Sequence, residues 1–198
     1  MGIEELLRRQ EELRAEAEAV FEGLGLAERL APFGEVVRVG SAALGLMVWR
    51  DLDLTVVCPE LDVAAVARAG AAIAAHPWTR RVDFRNDTGE WNTDPAYPDG
   101  IYLGVGCRGP AGEEWRLDIW FVDEPERQPD LAHVRELPPR LTPEARAAIL
   151  LIKDEWARRP EYGQAVRSVD VYTAVLDHGV RTPAGFERWL RDRPPAGG

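Results

Sequence analysis

The stretch Asp51-Leu52-Asp53-Leu54-Thr55-Val56-Val57-Cys58 constrains this chain more than any other. It opens with strict alternation of charge and apolar bulk, runs on into β-branched residues and stops at Pro59. Period-two alternation predicts a strand with one buried face. Successive side chains on a strand point to opposite faces. Leu52 and Leu54 therefore enter a core, and Asp51 and Asp53 share the other face, about 7 Å apart. The fold must supply a sheet around that strand, and something must compensate two carboxylates that face the same way.

The flanking segments predict the rest of the fold. In residues 3–22, Ile3, Leu6, Leu7, Leu13, Ala17 and Val20 fall near helical spacing, and Gly23 and Gly25 end the helix. A short helix over Leu26–Leu30 precedes Pro32. Strands are expected at Glu35–Val39, Arg80–Phe84, Ile101–Cys107 and Trp115–Val122, the last two as a hairpin pair. Helical stretches are expected at Ala42–Val48 and Val63–Ala75. Residues 86–100 form a long turn-rich loop, a length that usually carries function or disorder. Residues 123–140 are Pro-rich and read as an extended linker. Thr142-Pro143 caps a helix running to about Arg158, another covers Gln164–His178, and Thr182-Pro183 opens a third to about Leu190. The expected class is α+β: a small mixed β-sheet with flanking helices, then a C-terminal helical segment that closes a cleft. The expected division is 1–122 for the N-terminal helix and core, 123–140 for the linker, 141–192 for the helical segment and 193–198 for a frayed tail.

Composition removes several classes. A chain of 198 residues, 45% of them apolar, can bury one core without staples. No apolar run reaches the roughly 18–20 residues that span a bilayer. The N-terminus is charged throughout, with no apolar signal region, so a cytoplasmic protein with no membrane partner is expected. Cys58 and Cys107 lie in apolar strand-like runs and read as buried free thiols. His76, His133 and His178 are far apart, and no His/Cys spacing matches zinc. The net charge of −10 lacks the basic footprint of a duplex binder and favours a small or cationic substrate. Nucleic acid is accordingly not the expected partner.

A third carboxylate extends the acidic pair. Asp118 interrupts the apolar strand Trp115–Val122, where an unpaired charge is costly. If that strand neighbours Asp51–Cys58, then Asp51, Asp53 and Asp118 form an oxygen-ligand cluster suited to Mg²⁺. Three carboxylates around two ions suit in-line phosphoryl displacement. Gly40-Ser41 follows a strand and opens a helix, a setting in which the backbone comes close to a phosphate and Ser41 adds a donor.

Gly40-Ser41, nine further residues, then Asp51-Leu52-Asp53-Leu54 resembles the glycine-serine and paired-aspartate motif of the DNA polymerase β-like nucleotidyltransferase superfamily. Asp118 stands where that family keeps its third aspartate. The resemblance covers about residues 35–122. It implies the nucleotidyltransferase fold, with Asp51, Asp53 and Asp118 as catalytic metal ligands, two Mg²⁺ ions, and a nucleoside triphosphate as co-substrate held by Gly40 and Ser41. It also implies triphosphate and base contacts from the C-terminal helices, for which Lys153, Ser168 and Tyr172 are the matching residues. Lys153 is the one lysine among 24 basic residues, and Ser168 and Tyr172 lie four apart on one helix face.

The acceptor is expected to be a small hydroxylated molecule of aminoglycoside type. The loop 86–100 carries Asp87, Glu90, Asp94 and Asp99 with Trp91 and Tyr97, a composition that suits a cationic ligand. Three alternatives stay open: nucleotidylation of a protein or RNA, as in toxin–antitoxin components; a catalytically degenerate nucleotide-binding module; and a scaffold built on the N-terminal helix. Glu136, Glu155 and Asp118 are all candidate general bases. The nucleotide and the oligomeric state are open.

Overall fold

The computed structural model describes residues 2–193. Five strands form one sheet: β1 Glu35–Arg38, β2 Asp51–Val57, β3 Thr79–Asp87, β4 Gly100–Arg108 and β5 Glu114–Val122. Their order is β1-β2-β5-β4-β3. All neighbours are antiparallel except β2 and β5, which run parallel with Asp53 paired to Asp118 and Asp51 to Arg116. The helices are α1 Ile3–Gly23, α2 Leu26–Leu30, α3 Gly40–Leu44, α4 Val63–Ala74, α5 Pro129–Glu136, α6 Pro143–Trp156, α7 Ser168–Leu176 and α8 Pro183–Asp192. Among these residues no helix is long and apolar enough to cross a membrane.

The predicted alternation decides which sheet face is covered. Leu52, Leu54, Val56, Leu103, Val105, Leu117 and Ile119 are buried against Leu13 and Val20 of α1 and Val66 and Ile73 of α4. A second apolar cluster joins Leu44 and Leu46, at the end of α3, to Ile149 and Ile152 of α6, Val171 and Val175 of α7, and Phe186 of α8. This second cluster holds the C-terminal helices against the segment that leads into β2. Arg146 of α6 adds two bonds there, donating from Nη1 to the carbonyls of Leu44 (2.7 Å) and Gly45 (2.6 Å).

Capping chemistry sets the C-terminal helix starts. Thr142 accepts from Ala145 N and Thr182 from Gly185 N, each with proline at the first helical position. Proline also misleads within 123–140. That segment is not extended: Pro129 opens α5, because its fixed φ and missing N–H cost nothing in a first turn. The helix expected from Gln164 begins at Ser168, and the stretch expected as Ala42–Val48 stops at Leu44, where Gly45 closes it at φ +66°. Strand β3 continues to Asp87, three residues beyond its predicted end. Of the tail expected to fray, residues 194–198 lie outside the described residues.

Candidate active site

The parallel β2–β5 pair brings the acidic residues together. Among the described residues Asp51, Asp53 and Asp118 form a cluster whose carboxylate oxygens lie within 4.8 Å of one another. Asp51 Oδ1 is buried with no hydrogen-bond partner. Burial, reinforced by Asp118, pushes the Asp51 carboxyl up to about 6. Burial also raises Asp53 well above the ordinary range, with Asp51, Asp118 and Asp130 adding like-charge repulsion. Asp118 is better compensated. It accepts from the Tyr102 hydroxyl, and Arg116 lies 3.2 Å away. Crowded, under-compensated oxygens of this kind fit a hard divalent cation such as Mg²⁺.

The Gly40-Ser41 turn lies directly against this cluster. Gly40 has φ +62°, a region open to glycine. A Cβ there would sit 2.0 Å from Asp53 Oδ2, so the turn reaches the carboxylate only because the side chain is absent. Ser41 Oγ is turned inward, where Lys153 Nζ donates to it at 2.6 Å and the Tyr172 hydroxyl lies 3.3 Å away. Lys153 has no solvent exposure. Its Nζ also donates to the Leu46 carbonyl at 2.7 Å and to Tyr172 Oη at 3.5 Å. Burial opposes its charge, but Tyr172, Tyr162 and Asp53 outweigh that and hold its pKa above the ordinary lysine value.

A cleft of about 460 Å³ opens over these residues. Gly40, Ser41, Asp51 and Asp53 form one wall, α5 supplies Asp130 and His133, and the α7 region supplies Tyr162, Arg167, Ser168 and Tyr172. Lys153 lies beneath the surface rather than lining the cleft. Ser168 Oγ is within 3.0 Å of Tyr162 Oη, one residue removed from the lysine cluster. Trp49 lines the same cleft and packs on Tyr162 with ring centroids 4.9 Å apart.

Sequence reasoning singled out none of Trp49, Asp130, His133, Tyr162 or Arg167. Asp130 and His133 lie in the Pro-rich segment read as extended, although their i, i+3 spacing after Pro129 is a helical signal. Neither Glu136 nor Glu155 lines the cleft. In the 86–100 loop, Asp99 accepts from Gly89 N and Asn92 Nδ2, and Asp94 from Ala96 N. Those acids order the loop itself, and of its residues Tyr97 reaches the cleft.

No protein-family model matches the chain, and no curated protein matches it. Solved structures do. Cid1, in a structure that accounts for its RNA terminal uridylyl transferase activity, aligns with a TM-score of 0.59 at 18% identity, over 87% of this chain and 52% of that one. A variant of Cid1 poly(U) polymerase bound to MgATP aligns with a TM-score of 0.60 at 18% identity, over 88% and 54%. Cid1 with its short product ApU aligns with a TM-score of 0.60 at 18% identity, over 100% and 69%. The chain spans about half the length of the first two. The five-stranded mixed sheet with flanking helices is the nucleotidyltransferase fold of these neighbours.

Proposed function

We propose that this chain is a Mg²⁺-dependent nucleotidyltransferase that moves a nucleoside monophosphate from a nucleoside triphosphate to a hydroxyl. One observation carries the reading: three carboxylates converge within 4.8 Å of one another, and two of them, Asp51 and Asp53, line a cleft of about 460 Å³ with a glycine-serine turn packed against Asp53. In the reaction the acceptor oxygen forms a bond to the α-phosphorus. The bond from that phosphorus to the bridging oxygen breaks, pyrophosphate leaves with the electron pair, and the hydroxyl proton passes to a base. Asp51, Asp53 and Asp118 would hold the metal, with two ions as the expected complement. When bound, Mg²⁺ supplies positive charge opposite the triphosphate and the leaving pyrophosphate.

The chain's own residues set the geometry. The Gly40 backbone closes against Asp53, and the cleft over Gly40 and Ser41 is the space for the phosphates. Lys153 fixes Ser41 from below, and Tyr172 is held against both. Ser168, Tyr162 and Trp49 form the wall toward the base. The acceptor is read as a small hydroxylated molecule, and its expected cationic character has little support, because Asp94 and Asp99 are committed to turns. Calorimetry with ATP, GTP, CTP and UTP, with and without Mg²⁺, tests the reading beside Asp53→Ala. Binding that requires Mg²⁺ and disappears in the variant is expected. A wild-type protein that binds none of the four would sink it.

A further inference from the structure

The sheet face carrying Asp118 continues past it across β4 and β3. On β4 that face presents Tyr102, Gly104 and Gly106, which pair with Trp120, Asp118 and Arg116 of β5. Two glycines in one strand leave a depression where side chains would stand. Tyr102 lies over Gly104, where a Cβ would meet its hydroxyl at 2.6 Å, and Gly106 is open apart from the Arg81 Cβ at 3.7 Å. The result is a trough of about 620 Å³ walled by Arg81, Arg85 and Arg116. It starts beside the carboxylate cluster, on the side away from the Gly40-Ser41 turn.

The trough has its own charge and its own stacking surface. Three guanidiniums line it against one carboxylate, Asp83, in a chain whose net charge is −10. Each arginine pairs with an acid two residues along its own strand: Arg81 with Asp83, Arg85 with Asp87, and Arg116 with Asp118. The Arg81–Asp83 pair is exposed on both sides and is weak, whereas Arg85 and Arg116 are the exposed halves of pairs whose carboxylates, Asp87 and Asp118, are more buried. The guanidinium of Arg85 also lies 4.9 Å from the Tyr102 ring centroid and 5.2 Å from that of Trp120. Planar guanidiniums match phosphate oxygens two at a time, and aromatic rings present flat faces to bases.

We propose that this trough is the acceptor site and that the acceptor is a nucleotide, its phosphate held by Arg81, Arg85 and Arg116 and its base stacked on the Tyr102–Arg85 platform. The inference rests on the nucleotidyltransferase reading, since it needs a reaction centre at Asp118. A cationic acceptor would meet three like charges here. A free nucleotide and the end of a single strand share the required chemistry. The chain's overall acidity repels polyanions at long range, so the local arginines decide the matter at contact.

Fluorescence anisotropy with a labelled single-stranded RNA ten-mer tests this, with and without Mg²⁺ and a non-hydrolysable nucleoside triphosphate analogue. Binding should weaken at least tenfold in Arg81→Ala/Arg85→Ala and recover partly in Arg81→Lys/Arg85→Lys. Removing two guanidiniums from the phosphate site should also flatten the salt dependence of binding. Unlabelled mononucleotide that displaces the ten-mer, with the analogue saturating the donor cleft, identifies a free-nucleotide acceptor. Displacement by strands alone identifies a strand end. Undiminished binding in the alanine pair overturns the proposal, as does wild type that binds neither form. Calorimetric binding of the Mg²⁺–analogue complex is read separately, so a missing donor site is told apart from a missing acceptor site.

Discussion

Gly40 lies so close to Asp53 that a methyl group on its Cα would fall 2.0 Å from Asp53 Oδ2. The constraint is double, because φ at Gly40 is +62°, where an L side chain is strained. Gly40→Ala should destabilise the protein by about 2 kcal/mol or more, roughly 4–8 °C in melting temperature. It should also displace the Asp53 carboxylate and abolish Mg²⁺-dependent nucleotide binding. Thermal melting and calorimetry on one preparation measure both effects. An unchanged melt would mean that the turn can retreat from the carboxylate.

Asp53→Asn separates stability from function. The wild-type carboxyl is raised by burial and by Asp51, Asp118 and Asp130, so its charged form is a burden to the metal-free fold. Removing that charge should stabilise the metal-free protein at pH 7.5, by about 1–3 kcal/mol, while eliminating Mg²⁺ binding. Melting in EDTA and in Mg²⁺ reads the two effects. A variant less stable than wild type in EDTA would show that Asp53 is a structural charge with a partner.

The pH dependence has a definite sign. With Asp51 raised from an ordinary 3.8 to about 6, the folded state binds more protons than the unfolded state between those values. The contribution of this group to stability is therefore full below about pH 4 and declines as pH rises through about 6. Cation binding runs the other way, because metal must displace those protons. Mg²⁺ affinity should climb about fivefold from pH 5 to 6 as Asp51 ionises, and the raised Asp53 carboxyl makes the rise steeper. A calorimetric series in matched ionic strength would show it. A flat profile would place both carboxylates in their ionised form throughout.

Alternation along β2 and one aspartate within the apolar β5 make the acidic cluster legible in the amino-acid sequence alone. Sequence patterning does not reveal that β5 is inserted between β4 and β2, which is what brings Asp118 beside Asp53. A local pattern shows which face a side chain takes, not which strand is its neighbour. The trough has the same limit. Arg81 and Arg85 show their meaning once β4 lies alongside and contributes glycines in place of side chains. Proline hid α5, since the same residue starts a helix or ends one. The burial of Lys153 did leave a trace. Ala145, Ile149 and Lys153 follow one another at four-residue spacing, so the lysine sits on the apolar stripe of α6, where a charge needs built-in partners.

Lys153 therefore offers a test of how the C-terminal helices serve the proposed nucleotide cleft. Its ammonium binds Ser41 Oγ, the Leu46 carbonyl and the Tyr172 hydroxyl, and so ties α6 and α7 to the turn beside the triad. Lys153→Met keeps the length and removes the charge. Two effects then oppose each other: a buried charge no longer has to be desolvated, and the Leu46 carbonyl loses its lysine donor. Ser41 and Tyr172 can still bond each other, being 3.3 Å apart. The net cost should stay near 1–3 kcal/mol, whereas Lys153→Ala adds a cavity and should cost about 3–5 kcal/mol. Nucleotide affinity should fall more than tenfold in Lys153→Met if Ser41 holds phosphate as proposed, because the lysine no longer fixes it. Urea unfolding gives the first quantity and calorimetry with Mg²⁺ and nucleotide the second. A Lys153→Met protein that is destabilised but binds nucleotide like wild type would make the lysine a packing device alone. One that folds and fails to bind would place it among the residues that position the donor.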